Sequence, residues 1–366
     1  MKAVDVAIVG GGAVGAACAR AAALRGLEVA IFEPGPDPAA ASPASAGMLA
    51  AQIEPGDDAL VALAVRARDS YEPLAPALRE TTGIDIGFWR SGIAAVAFDE
   101  SAANRLKEEV ARQRQAGLRC DWLDGAEVRE RWPGAAPDCQ GALFAPEDGA
   151  LDPQALTRAC LADARRLGAT LHAEKVEALA TAQGRVTGVL TAGGAVPVEH
   201  AVLAAGVWSP QIRGLPRPLP VEPLRGQMAA TAWPDDCPPA ILYHDHGYVL
   251  ARGGDAVLGS TMERAGYDAR VTNEGLAQIF RGAVRLLPAL ITQPVQRMWS
   301  GLRPATPDGR PILGRDSDLE RLWYATGHGR SGILLAALTG EITADLLTSG
   351  IPDVDIAPLS IDRFRQ

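Results

Sequence analysis

The chain has 366 residues, 48% of them hydrophobic and 22% charged, and a formal net charge of −9. That length can bury a large core and leaves room for two domains, and the balance is that of an ordinary globular protein. An acidic chain with no Lys/Arg cluster is not expected to bind nucleic acid, because binding a phosphate backbone rests on concentrated positive charge; a small-molecule substrate is the expectation.

No apolar run is expected to span a membrane, since the best candidate, residues 333–338, is soon interrupted by Glu341 and Asp345. The five cysteines, Cys18, Cys120, Cys139, Cys160 and Cys237, are scattered and form no CxxC pair. This fits a reducing cytoplasm without disulfides or structural zinc. His244 and His246 flank Asp245, but no further ligands follow at suitable spacing, so no metal is expected.

Residues 4–9 read as a strand that runs into Gly10-Gly11-Gly12-Ala13-Val14-Gly15 and an Ala-rich helix ending near Arg25-Gly26. In a dinucleotide-binding unit Gly10 permits the tight turn and Gly12 lets the backbone approach a pyrophosphate. Gly15 lets helix and strand pack closely, with the helix N-terminus facing the anion. A secretory signal is not the expectation, because Lys2 stands alone and Asp5 follows it. The second strand, residues 27–32, ends in Glu33, where a ribose hydroxyl would lie and a 2′-phosphate would be repelled. FAD or NAD is favoured over NADP.

A loop rich in Pro, Ala and Ser (residues 34–45) then passes over the surface or over a ligand. It leads to an amphipathic stretch through Leu60, Leu63, Ala64, Ala67 and Leu74. Residues 92–98 read as a strand and 102–115 as a charged helix, which marks a change of domain. Asp152 and Pro153 supply an N-cap and a first-turn proline for a helix through Leu167. Residues 184–190 and 195–198 are hairpin-like, and 201–206 is a buried strand that returns to the first domain. Strands at 227–231, 241–244, 247–252, 256–261 and 296–299 predict an antiparallel sheet, interrupted by a helix over 273–287 that Pro288 ends. Residues 322–326 form a last strand, feeding the turn at 327–332 and a helix through Leu347.

That final strand, turn and helix, Ala325-Thr326-Gly327-His328-Gly329-Arg330-Ser331-Gly332-Ile333, resembles the C-terminal flavin motif of the D-amino-acid oxidase family of FAD enzymes. In that family the helix points its positive end at the flavin ring, where it would stabilise the anionic reduced form. Four more segments are similar to the thiamine-pathway glycine oxidases of the family: Ser45-Ala46-Gly47-Met48-Leu49 with Glu54, residues 242–248, Gly259-Ser260-Thr261-Met262, and Trp299-Ser300-Gly301-Leu302-Arg303-Pro304.

The resemblance covers the whole chain. It implies an α/β fold: a Rossmann-like FAD-binding domain (1–85, 145–218 and 302–366) and a second, substrate-binding domain built on an antiparallel sheet (86–144 and 219–301). It further implies oxidation of a primary or secondary amine to the imine by hydride transfer to flavin N5, reduction of oxygen to hydrogen peroxide, and a homo-oligomer. FAD would be held non-covalently, since covalent attachment in the related sarcosine oxidases uses a late cysteine and none follows Cys237.

The implied cofactor residues are Gly10, Gly12, Ala13, Val14, Gly15 and Glu33 for the ADP half, with Val176 at the adenine and Gly206 and Trp208 beneath the cofactor. Ser45, Ala46, Gly47, Met48, Gly301 and Arg303, with the turn His328, Gly329, Arg330, Ser331, Gly332 and Ile333, would meet the flavin ring. For the substrate, the planar fork of Arg303 suits a carboxylate and the Tyr248 hydroxyl would complete the site. Met262 would line the pocket with Met48, and Arg330 would stand at its mouth. The same residue types also serve as surface ion-pairing arginines, a core tyrosine and core-filling methionines.

The turn departs from the family pattern: Gly329 stands where relatives often carry a larger residue and Ser331 where they often carry Asn. Glycine leads as substrate, with sarcosine, small D-amino acids and bulkier N-substituted glycines open. A dehydrogenase that passes electrons to a quinone or carrier, and a non-catalytic dinucleotide sensor, are the alternatives.

Overall fold

Val4–Val9 is apolar on both faces, Val6 and Ile8 facing one side and Ala7 and Val9 the other, and all four are buried. Such a strand belongs at the centre of a sheet covered on both sides. In the computed structural model, which describes residues 4–54, 58–245 and 247–365, it pairs in parallel with Val29–Phe32 and with Gly194–Leu203. Thr170–His172 and Leu322–Thr326 extend the sheet in parallel at either side, and Ile312–Arg315 closes it antiparallel. Three separate parts of the chain thus build one sheet.

Helices Ala13–Leu24, Pro153–Arg166 and Gly332–Thr348 cover one face, where Cys18, Ala22, Leu335 and Ile342 cluster with Val6, Ile8 and Ile31. Asp152 caps the second of these helices by accepting from the N–H groups of Gln154 and Ala155, and Pro153 opens it, as the sequence predicts. Val176–Ala182 and Arg185–Thr191 form a meander with Gly194–Leu203, and their apolar side chains pack on the opposite face.

One expectation changes here. Gly329–Thr348 has the length and mean hydropathy to cross a membrane although it carries Glu341 and Asp345, but 61% of its 18-residue apolar stretch is buried within the fold. It packs so closely on helix Ala13–Leu24 that a Cβ on Gly340 would come within 2.6 Å of the Ala17 carbonyl oxygen. Its apolar character is that of a core helix.

The second sheet has eight strands, in the order Val295–Ala305, Glu222–Ala232, Asp255–Gly259, Gly247–Arg252, Ile241–His244, Ile93–Ala97, Gly141–Ala145 and Asp121–Asp124. It departs from a wholly antiparallel sheet at one junction, where Ile241–His244 and Ile93–Ala97 run parallel. These two strands lie far apart in the chain, so no hairpin dictates their sense. Val295–Ala305 is longer than the expected strand and runs on past Leu302, paired with Glu222–Ala232 throughout. Arg303 therefore sits inside a ladder, opposite Leu224.

Helix Asn273–Leu286, capped by the Thr272 hydroxyl, covers one face of this sheet through Ile279, Ala283 and Leu286. The amphipathic stretch at 60–74 is divided between two helices, Asp58–Asp69 and Tyr71–Thr82. The other face of the second sheet presents Met228, Tyr248, Leu250 and Val257 to Ala46 and Ala50, which flank the short strand Met48–Leu49. The cleft opens along this seam.

Candidate active site

Twenty of the expected site residues line one cleft: Gly10, Gly12, Ala13, Val14, Glu33, Ser45, Ala46, Met48, Val176, Gly206, Trp208, Tyr248, Met262, Gly301, Arg303, His328, Gly329, Arg330, Gly332 and Ile333. Gly15, Gly47 and Ser331 are not among the residues that line it. A Cβ on Gly15 would come within 1.9 Å of the Gly10 carbonyl oxygen, and one on Gly47 within 2.0 Å of that of Leu151. The Ser331 N–H donates to the His328 carbonyl at 3.0 Å and closes the turn before the last helix. His244 is buried edge-on against Phe98, with Nε2 3.2 Å from the Gly282 carbonyl oxygen, while His246 lies outside the described residues.

Toward the parallel sheet, Gly10 takes a φ of +108° that only glycine adopts readily, and its N–H donates to Phe32 at 2.9 Å. The Glu33 carboxylate accepts from the Gly11 N–H at 2.7 Å and the Gly35 N–H at 3.3 Å, so its oxygens close the turn beside the cleft. Ser42 was invisible as a site residue in the sequence: one serine in a Pro/Ala-rich loop carries no signal. Its Oγ accepts from the Ala13 N–H at 3.0 Å and helps to fix the helix start. Neither helix that begins at the cleft, Ala13–Leu24 or Gly332–Thr348, has an acidic residue in its first turn. Both positive ends are left for an anionic or dipolar ligand.

Toward the second sheet, Arg303 is half-buried and donates from Nη1 to the Thr261 carbonyl at 3.1 Å and from Nη2 to Ser260 Oγ at 2.8 Å. Among the described residues it makes no ion pair, and loss of water pulls its pKa below the usual value for arginine. Gly226 makes the space it occupies, since a Cβ there would stand 1.9 Å from Nη1.

Gly259 does the same for Tyr248, whose oxygen would lie 2.5 Å from an added Cβ. The Tyr248 hydroxyl, its pKa raised by burial, donates to Met228 Sδ at 3.3 Å. Across the hairpin Tyr243 pairs directly with Tyr248, their rings stacked 6.5 Å apart. Burial and the nearby Glu54 carboxylate push the Tyr243 phenol up to about 12. At the rim Arg330 lies 3.4 Å from Glu54 and 4.0 Å from Met262 Sδ. Met262 is 53% exposed, so it is not core filling.

His328 is only 2% exposed, with Nε2 3.0 Å from Thr339 Oγ1, and burial lowers its pKa from 6.5 to about 4. The unfolded chain takes up this proton more readily than the folded one. The stability gained by keeping the imidazole neutral is therefore complete above pH 6.5 and is lost as pH falls to 4, a drop of about 3 kcal/mol. Denaturant unfolding at pH 7, 5.5 and 4.5 should show this slope in the wild type and a flatter one in His328→Gln. Equal slopes would reject the assignment.

The profile of the DAO family, described as FAD dependent oxidoreductase, matches residues 5–346. The chain belongs to this family. As an FAD-dependent oxidoreductase it is 36% identical, over 99% of its length, to the bifunctional protein ThiO/ThiG of Trichormus variabilis; it spans 55% of that protein. The glycine oxidase of Geobacillus kaustophilus is 35% identical, with 98% of this chain and 97% of that protein covered. The crystal structure of glycine oxidase from that organism aligns with a TM-score of 0.93 over 99% of both chains.

The cofactor of this oxidoreductase is FAD, and the cleft fits it. Two helix N-termini open on the wall without neutralising acids. Gly206 and Gly329, both at a φ of +53°, have open space where a Cβ would stand, so the backbone itself can meet a ligand.

Proposed function

We propose that this protein oxidises glycine, or a similarly small amine-bearing carboxylate, to the imine, with oxygen reduced to hydrogen peroxide. Arg303 carries the reading. Its desolvated guanidinium spends two donors on neutral acceptors, and a substrate carboxylate would satisfy the rest with charge-assisted bonds. The Tyr248 hydroxyl, which donates to a sulfur, would exchange that weak acceptor for the same carboxylate. The similarity to glycine oxidases supports the substrate.

Gly10, Gly12, Ala13, Val14, Gly15, Glu33 and Val176 would hold the ADP half of FAD, with Gly206 and Trp208 beneath it. Ser45 to Met48, Gly301 and the turn from His328 to Ile333 would hold the ring. Attachment is non-covalent in this proposal, because no cysteine lines the cleft among the described residues. When bound, FAD supplies the acceptor for two electrons. The chain's own contribution is orientation: two fixed contacts to the carboxylate leave the substrate Cα little freedom, and positioning of that kind can supply most of a rate enhancement. The small Gly329 and Ser331 at the turn keep slightly larger amines within the proposal. A part in thiamine thiazole formation and a cytoplasmic homo-oligomer belong to the same proposal and rest on the resemblance and the ThiO/ThiG relative.

Anaerobic titration of the purified protein with glycine, followed by the visible absorption of the flavin, tests this reading. Bleaching that reverses on admitting air, with peroxide formed, is the expected result. A flavin that stays oxidised would overturn glycine as substrate, and one that bleaches but does not recover in air would overturn oxygen as acceptor.

A further inference from the structure

Glu54 is a cleft carboxylate to which the proposed reaction gives no task, and we propose that it binds the substrate's ammonium group and makes the site selective for zwitterions. The proposal rests on Arg303 as the carboxylate anchor. The Glu54 side chain is 17% exposed and shares the cleft wall with Arg303, Tyr243 and Tyr248. The other acid of this region, Asp245, is 77% exposed and pairs with Arg105 at 3.3 Å, so it belongs to the rim. Glu54 is the shielded one.

The stacked tyrosines relate the two charges. Tyr243 lies near enough to Glu54 for the carboxylate to help raise its pKa, and both line the cleft, while Tyr248 lies against Gly259, next to the Ser260 hydroxyl that docks Arg303. An acid and a base thus flank one aromatic wall. An ammonium carried into such a site by its carboxylate loses water and needs an anion; without one the cost falls on binding. The Arg330 contact at 3.4 Å leaves Glu54 able to take a second cation, because Arg330 is itself 41% exposed and such pairs are weak.

The test compares ligands that differ only in the ammonium group, on holoenzyme. For Glu54→Gln, which keeps the side chain's shape, the KM for glycine is expected to rise at least 10-fold while the Kd of acetate, read from the perturbed flavin spectrum, stays within 2-fold of wild type. Glu54→Asp should fall between. Parallel loss of glycine and acetate binding, or no change in either, would overturn the proposal, and FAD content reports on folding.

Should the wild type fail to oxidise glycine, the functional reading fails separately. The pair 2-aminoisobutyrate, which has no Cα–H to transfer, and isobutyrate then tests Glu54 without turnover. Tighter binding of the amino acid by wild type but not by Glu54→Gln supports the role; equal binding of the two by wild type overturns it.

Discussion

Arg303→Ala is expected to lower kcat/KM for glycine by about 100- to 10,000-fold while FAD remains bound, since two charge-assisted hydrogen bonds are each worth about 1.5–3 kcal/mol. The loss should appear mainly in KM, with acetate binding lost in parallel. Arg303→Lys should rescue little, because a point ammonium cannot reproduce the planar fork that now bonds Thr261 and Ser260. Gly226→Ala reaches the same guanidinium from the other side. Its Cβ would lie 1.9 Å from Nη1 and 2.4 Å from Cζ, so Arg303 must leave its seat although its chemistry is untouched. A rise in glycine KM in Gly226→Ala, with an unchanged flavin spectrum, would show that the placement of the cation matters as well as its presence. Wild-type KM in Arg303→Ala would remove this residue from the site.

The parts of this site that could be read from the sequence are those where backbone geometry admits one residue type. Gly10 needs a positive φ and Gly15 needs a bare Cα, so the turn announces itself between a buried strand and an Ala-rich helix. Arg303 and Tyr248 were legible only through resemblance, because an arginine and a tyrosine on strands look like many others. Gly226, Gly259, Ser42 and Ser260 were not legible in isolation. Gly226 matters because of Arg303, and Ser42 because of Ala13; both partners are remote in the chain and meet only in the fold. The parallel junction between Ile241–His244 and Ile93–Ala97 lies beyond local pattern for the same reason. Local pattern predicts each strand, but the neighbours of a strand are a tertiary fact. Gly329–Thr348 shows the converse, where composition alone cannot tell a buried core helix from one that crosses a membrane.

Gly15→Ala is expected to weaken FAD binding by about 10- to 100-fold and to lower the Tm of the apoprotein, the combined result of overpacking worth about 1–3 kcal/mol and a displaced helix end worth up to about 2 kcal/mol. The added methyl would lie 1.9 Å from the Gly10 carbonyl oxygen, 2.9 Å from its carbon and 3.3 Å from Ala204 Cβ. The two closest obstacles are backbone atoms, which cannot rotate away as a side chain can. Helix Ala13–Leu24 must therefore retreat from the strand, and its N-terminus retreats from the cleft with it. Gly26→Ala separates this from general destabilisation: it lies just beyond the other end of the same helix, at a φ of +83° with nothing within 4 Å of an added Cβ. Backbone strain there should cost about 1 kcal/mol of stability and leave FAD affinity alone. FAD titrations of the two apoproteins, compared at matched Tm, read the difference. Equal FAD affinities would mean that the closeness of strand and helix serves folding only, and that the cofactor does not depend on where that helix begins.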